Sequence, residues 1–299
     1  MENLPDPIQV SSYDLNRDGQ PDFVVGTNVD PNYQLPARLA ILRSIRGRIG
    51  EYTLEEKISG VSTCCFLVAP FDSDQYADLL ALDYFGAAFQ FLKGKEDSFA
   101  DYRTLFSWES PLWGDIADYD SDGDIDFAVA SISTSISRGV AIFNNDGEAD
   151  FQVTTVLQDG VPTRFVAWED ISGDGLLDLI ASSFSLNKFD LAIYLADSTG
   201  NFSTALHNTL QDHTSYFQLR DLDSDEDLDI LATLPLLSQG RNDVSGRIGI
   251  LKNDGKSTFS SRQMLVPQGM VPAFLDARDL DGDGDIDVAC TNNGTLSRP

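Results

Sequence analysis

The chain has 299 residues, 42% apolar and 10% aromatic, with a formal net charge of -28. That is ample material for a core and excludes a disordered acidic tail, while the charge argues against nucleic acid and anionic membrane surfaces, which need clustered Lys and Arg. No apolar run approaches a membrane span, "MENLPDPIQV" lacks a basic-then-apolar leader, and three cysteines, Cys64 and Cys65 adjacent, make no disulfide framework.

Along the chain one nine-residue pattern recurs. "DLNRDGQPD" runs from Asp14 to Asp22, and a weaker copy, "PFDSDQYAD", from Pro70 to Asp78. "DYDSDGDID" follows from Asp118 to Asp126, then "DISGDGLLD" from Asp170 to Asp178. "DLDSDEDLD" spans Asp221 to Asp229 and "DLDGDGDID" spans Asp279 to Asp287. The starts lie about 50 residues apart, a period of solenoids and propellers. After position nine comes an apolar run such as "FVVG", "LLAL" or "FAVA", with Val25, Ala81, Val129, Ala181, Ala232 or Cys290 third. Such an unbroken run reads as a strand buried on both faces.

Further columns keep the period. Trp113, Phe165, Tyr216 and Phe274 precede position one by five residues, and Cys65 fills that place in the second copy. Polar, mostly Gly-bearing turns end in Tyr52, Phe99, Phe151, Phe202 and Phe259, after the strand-like stretches "ARLAIL", "AAFQFL", "GVAIF", "LAIYL" and "GRIGIL". Each repeat therefore reads as strand A, acidic loop, strand B, connection, strand C, turn and strand D. With no helical periodicity, this predicts an all-β protein, a β-propeller of four-stranded antiparallel blades. Because one blade cannot bury both its faces, residues 1–299 are expected to form a single domain, with repeats starting near 7, 61, 110, 161, 213 and 271. There are five full repeats and half of a sixth, which suggests a piece of a longer protein or an open ring with exposed edges.

The acidic pattern has a chemical reading. Like charges at alternate positions repel unless a cation lies among them. Gly at position six, present in four copies, permits the positive φ that turns the chain back, and the carbonyl of position seven is then free to turn inward. Hard carboxylate oxygens without His or Cys select Ca²⁺ over Mg²⁺, which demands tighter octahedral geometry. The expected ligands are Asp14, Asn16, Asp18 and Asp22; Asp118, Asp120, Asp122 and Asp126; Asp170, Ser172, Asp174 and Asp178; Asp221, Asp223, Asp225 and Asp229; and Asp279, Asp281, Asp283 and Asp287. That makes about five Ca²⁺ sites, the best at 118–126 and 279–287, with a structural role for the ion. Glu226 at position six strains the fifth turn. In the second copy Pro70 and Gln75 replace the first and sixth residues, which leaves Asp72, Asp74 and Asp78 a poor site.

These residues resemble the FG-GAP repeats of the integrin α-subunit propeller and, more closely, bacterial VCBS-type repeats. The shared pattern, an aromatic several residues before D-x-[DN]-x-D-G-x-x-D and then an aliphatic strand, is met at 14, 118, 170 and 279. The departures are Pro70, Gln75 and Glu226. The resemblance implies a parent of about seven blades, Ca²⁺ in the A–B loops of one face, and partners on the opposite face. It also implies an extracellular or cell-surface setting, adhesive or glycan-binding, although some such propellers carry a lyase or lectin site.

The remaining candidates are weaker. Trp113 and Trp168 read as core, and Trp108, outside any column, reads as packing ahead of sugar stacking. His207 and His213 read as exposed polar residues, and Cys64, Cys65 and Cys290 as buried hydrophobes. The longest B–C connections lie near Tyr33 and Arg241, and "LFSWESPLW" reads as a D–A connection. No nucleophile motif, phosphate loop or zinc spacing appears, so no catalytic residue is assigned. The expected function is a calcium-stabilised extracellular binding or adhesion module for a glycan or protein. A polysaccharide lyase or hydrolase on the same scaffold, or a purely structural segment of a larger adhesin, are the alternatives.

Overall fold

The structure is a computed structural model of the chain, and it describes residues 7–27, 38–45, 47–58, 63–84, 86–96, 98–100, 102–132, 139–157, 162–183, 191–208, 210, 214–234, 246–255, 258–259, 261–265 and 272–292. Among these there are only strands and turns. The chain divides into two compact units, Met1–Asp159 and Gly160–Pro299.

The first unit holds three antiparallel blades. Blade one is β1 (Pro7–Tyr13), β2 (Asp22–Thr27), β3 (Arg38–Ile45) and β4 (Arg48–Ile58), paired in chain order. Blade two pairs β5 (Thr63–Ala69), β6 (Asp78–Asp83) and β7 (Ala88–Leu92); a two-stranded excursion, β8 (Gly94–Lys95) and β9 (Ser98–Phe99), precedes its outer strand β10 (Arg103–Ser107). Blade three is β11 (Pro111–Ala117), β12 (Asp126–Ser131), β13 (Gly139–Asn145) and β14 (Phe151–Leu157). In the second unit, blade four is β15 (Thr163–Glu169), β16 (Asp178–Ser183), β17 (Leu191–Ala196) and β18 (Phe202–Asn208). Blade five is β19 (Tyr216–Arg220), β20 (Asp229–Leu234), β21 (Arg247–Lys252) and β22 (Ser261–Leu265), and β23 (Pro272–Arg278) with β24 (Asp287–Asn292) form a two-stranded sheet. Five four-stranded blades and a half blade are the architecture that the repeat predicts.

The unbroken apolar runs are explained by the alternation of strand side chains between the two faces of a sheet. In blade two, Phe66, Val68, Leu79 and Ala81 pack with Val24, Leu39 and Ile41 of blade one. Their neighbours Cys65, Leu67, Leu80 and Leu82 pack with Phe127, Val129 and Phe143 of blade three. Both faces are interior, so the four residues of β6 between Asp78 and Asp83 are all apolar. Rings fill the interface of blades two and three: Phe127 stacks on Phe143 at 4.6 Å between centroids, and Phe89 meets both edge-on. In the second unit the strand-A aromatics Phe165, Tyr216 and Phe274 form a chain of rings 5.3 and 5.1 Å apart.

Two boundaries differ from the sequence reading. Phe99 does not open the outer strand of blade two but lies in β9, because the inserted hairpin delays that strand to Arg103. "LFSWESPLW" is not one connection: its first three residues end β10 and Pro111–Trp113 begin β11. The inserted hairpin depends on Gly94. A Cβ there would stand 2.1 Å from the Ala77 carbonyl oxygen, which is backbone and cannot move aside. Gly94→Ala is therefore expected to cost about 1–3 kcal/mol, measured by thermal or urea unfolding; an unchanged midpoint would refute the close approach.

Candidate metal centres

Each acidic loop joins strand A to strand B, and two left-handed residues shape all but the second, which has one. Position six has positive φ in every loop: Gly19, Gln75, Gly123, Gly175, Glu226 and Gly284. Position four has it in all but the second, at Arg17, Ser121, Gly173, Ser224 and Gly282. Sequence reading finds the first of these and misses the second, for which Gly173 and Gly282 are the only signal. Glu226 keeps φ at 73° despite its Cβ, a conformation that costs an L-residue roughly 1–2 kcal/mol. Glu226→Gly should thus stabilise the second unit by about 1 kcal/mol, read as a higher melting temperature; a lower one would show that the Glu side chain contributes something that this strain argument omits.

The carboxylates hold the turn through its own amides, in the manner of Asx turns. The position-five carboxylate accepts the N–H of position seven in all six loops, at 2.9–3.1 Å. Position one accepts the N–H of position six where it is acidic, as Asp14 does from Gly19 at 2.9 Å and Asp279 from Gly284 at 3.0 Å.

Position nine has a distinct task. Asp22, Asp126, Asp178 and Asp229 are buried, as is Asp78 of the second loop. One oxygen accepts an N–H near the start of the loop (Leu15 at 3.0 Å, Tyr119 at 3.3 Å, Ser172 at 3.0 Å, Leu222 at 3.2 Å). The other accepts an N–H at the end of strand C: Ser44, Gly94, Asn145, Ala196 or Asn253, at 2.7–2.9 Å. It therefore ties the loop to the C–D turn of its own blade. Neighbouring blades are latched by amides of the same turns: Asn145 Nδ2 donates to the Phe71 carbonyl at 2.8 Å and Asn253 Nδ2 to the Ile171 carbonyl at 3.0 Å.

Three loops bring carboxylates together. One oxygen each of Asp118, Asp120 and Asp122 lie within 4.8 Å of one another, as do those of Asp221, Asp223 and Asp225, and of Asp279, Asp281 and Asp287. Asp126, Asp229 and Asp283 stand outside these groups, and in the first and fourth loops, with Asn16 and Ser172 at position three, no three carboxylates close to that distance. The third loop fits a cation further: Asp118 Oδ1 is buried with no hydrogen-bond donor. Electrostatics agree. Burial, with the charges of Asp120 and Asp122, pushes Asp126 up to about 7, and burial with Asp72 and Asp74 pushes Asp78 up to about 6. Asp124 is held above the ordinary carboxylate range by partial desolvation and by Asp122, Asp118, Asp146 and Glu148, and Asp227 likewise by Asp225, Asp221, Asp254 and Asp223. The acids of the C–D turns, Asp146, Glu148 and Asp254, were not legible as part of the site, because they lie a whole strand away from the loop in the chain.

Residues 118–181 and 221–290 match the model of the FG-GAP-like repeat. These two stretches carry FG-GAP-like repeats. Among solved structures it resembles the Dos1 propeller, with a TM-score of 0.53 at 14% identity over 91% of this chain and 67% of that one, a likeness of fold alone. A search of curated proteins finds no match.

In two of the acidic loops a lysine from strand C reaches the acids. Lys93 Nζ lies 2.5 Å from Asp72 Oδ2 and 3.0 Å from Asp74 Oδ2, and Lys252 Nζ lies 2.5 Å from Asp223 Oδ2. Hydrogen bonds that it donates to Asp72 and Asp74 push the Lys93 ammonium well above the ordinary lysine range. Away from the loops, Trp108 is a packing residue: it lies edge-on to Phe143 at 5.3 Å and its indole N–H donates to Ser131 Oγ at 2.9 Å. Trp113 packs against the same core and Trp168 is buried. Cys65 is fully buried, but Cys290 is only half-buried, a correction to the sequence reading: among the described residues β24 pairs with β23 alone, so one side of its strand has no neighbour. The side chains of Cys64 and His207, and His213, Tyr33 and Arg241 altogether, lie outside the described residues.

Proposed function

We propose that the FG-GAP-like loops bind Ca²⁺ and that the chain is an extracellular binding or adhesion module, recognising a glycan or protein partner on the face opposite the loops. The observation that carries the reading is the convergence of three carboxylate oxygens within 4.8 Å in each of three loops, from positions one and three together with position five in the third and fifth loops and position nine in the sixth. The donors are hard oxygens, which suit Ca²⁺, and Asp118 Oδ1 offers a buried acceptor without a donor.

The ligand sets are those named by repeat position: Asp14, Asn16 and Asp18; Asp118, Asp120 and Asp122; Asp170, Ser172 and Asp174; Asp221, Asp223 and Asp225; and Asp279, Asp281 and Asp283, each with its position-nine aspartate. Bound Ca²⁺ would supply positive charge where the chain gathers negative charge. The carboxylates of positions one and five already fix the turn through its amides, and position nine couples the loop to strand C. Neutralised loops would let these five acidic turns share one protein without mutual repulsion. Loops of this chemistry fill at the millimolar Ca²⁺ found outside cells, which favours that compartment.

The test is a glycan array and a cell-surface binding assay on the whole chain, each run in Ca²⁺ and in chelator. The expected result is a specific glycan or protein held in Ca²⁺ and released by chelator. Binding that ignores chelator, or none in either assay, would overturn the recognition reading. Equilibrium dialysis that finds no bound Ca²⁺ would overturn the metal reading.

A further inference from the structure

The position on strand C that faces position nine carries the deciding residue. The residue after position nine pairs with Leu42, Leu92, Phe143, Tyr194 or Leu251 in blades one to five. The next residue along strand C is therefore Arg43, Lys93, Asn144, Leu195 or Lys252. From this one slot a side chain can reach the position-three carboxylate of its own loop. Lys93 reaches Asp72, Lys252 reaches Asp223 and Asn144 Nδ2 reaches Asp120 Oδ2 at 2.7 Å. Leu195 cannot, and Arg43 turns away toward Glu55 and the Phe99 ring.

We infer that the ammonium groups of Lys93 and Lys252 are built-in counter-cations of the second and fifth loops, so that the second loop does without the metal and the fifth takes it only in competition with its own lysine. Lys93 bridges positions three and five, two of the three positions whose oxygens converge in the third loop. The second loop has Pro70 at position one, so two carboxylates meet one ammonium there and little charge is left to attract a divalent ion. The fifth loop keeps Asp221, Asp223 and Asp225, of which Lys252 holds Asp223 alone. In the third loop the same slot is the neutral Asn144, which satisfies a lone pair but leaves all the charge. An ordinary surface ion pair would not recur at one register position in two blades, nor would it hold a carboxylate such as that of Asp72, whose side chain is only 5% exposed.

The inference rests on the calcium reading for the other loops, and the test separates the two. Ca²⁺ stoichiometry and affinity would be measured by equilibrium dialysis and calorimetry on the whole chain and on Lys252→Met and Lys93→Met. Melting temperatures would be taken in chelator, with Arg48→Met, which breaks the exposed Arg48–Glu51 pair, as control. Wild type is expected to fill the first, third, fourth and sixth loops tightly. Lys252→Met should tighten one further site about tenfold or more, since a positive charge a few ångströms from the ion is removed. Lys93→Met should add no site, yet lower the chelator melting temperature by about 5 °C, because it leaves a buried carboxylate unpaired. Lys252→Met should lower it less, and Arg48→Met hardly at all. If wild type binds no Ca²⁺ but both lysine variants still melt below the control in chelator, the calcium reading falls and the counter-cation role stands. If the lysine variants match wild type in Ca²⁺ binding and match the control in melting, the counter-cation role is overturned.

Discussion

Transfer from 10 mM Ca²⁺ to chelator is expected to lower the melting temperature by at least about 5 °C. Extracellular calcium loops bind at about 10⁻⁴ to 10⁻³ M, so each filled site adds roughly 1.4–2.7 kcal/mol at that concentration. Each compact unit contains at least two acidic loops free of a lysine, and a domain of this size gains about 2–4 °C per kcal/mol. Mg²⁺ should restore only part of the loss, since its short octahedral bonds suit a loose carboxylate turn poorly. The pH profile provides a second readout. In chelator the folded protein holds a proton on Asp126 up to about 7 and on Asp78 up to about 6, whereas the unfolded chain releases both near 4. The folded state therefore binds more protons between about pH 4 and 7, and its stability falls as pH rises through that window. Ca²⁺ should flatten the part of this slope due to Asp126, by favouring the ionised form, and leave the part due to Asp78. Differential scanning calorimetry in Ca²⁺, Mg²⁺ and chelator at several pH values measures both effects, and curves that coincide would refute them.

Asp126→Ala should destabilise the first unit by about 2–4 kcal/mol even in chelator. Its two oxygens accept the amides of Tyr119 and Asn145, and the side chain is fully buried. Truncation removes the acceptor of both N–H groups at a buried position, a penalty partly offset by removing a carboxylate that resists ionisation. Asp122→Asn makes the contrast. Asp122 is exposed and its oxygen accepts the nearby Asp124 amide, which a side-chain carbonyl can also accept. That variant should melt like wild type in chelator but lose the share of calcium stabilisation that belongs to the third loop. Urea unfolding with and without Ca²⁺ separates the two patterns. Equal losses for both variants in chelator would show that position nine is not the framework residue its hydrogen bonds make it.

Much of this architecture was legible in local chemistry. The run Leu79–Leu82 announces a strand with two buried faces, and the structure gives one face to blade one and the other to blade three. Gly19, Gly123, Gly175 and Gly284 announce a left-handed turn, because only such a turn needs them there. The excursion at Gly94 was not legible, since a two-residue strand pair carries no periodicity. Nor was the difference in burial along the strand-A aromatics, from buried Phe165 to exposed Phe274, which depends on the neighbours that each blade has.

The sequence by itself determined the repeat, the class of strand and the acidic turns, since each of these follows from residues within a dozen positions of one another. Only the tertiary structure decided what each aspartate does. Lys93 follows Asp78 by 15 residues and Lys252 follows Asp229 by 23, so no fixed spacing marks the pair. The B–C connections differ in length, and strand register alone brings the lysine back to the loop. For the same reason the burial of position nine, and its bonds to strand C, appear only once the sheet has closed around it.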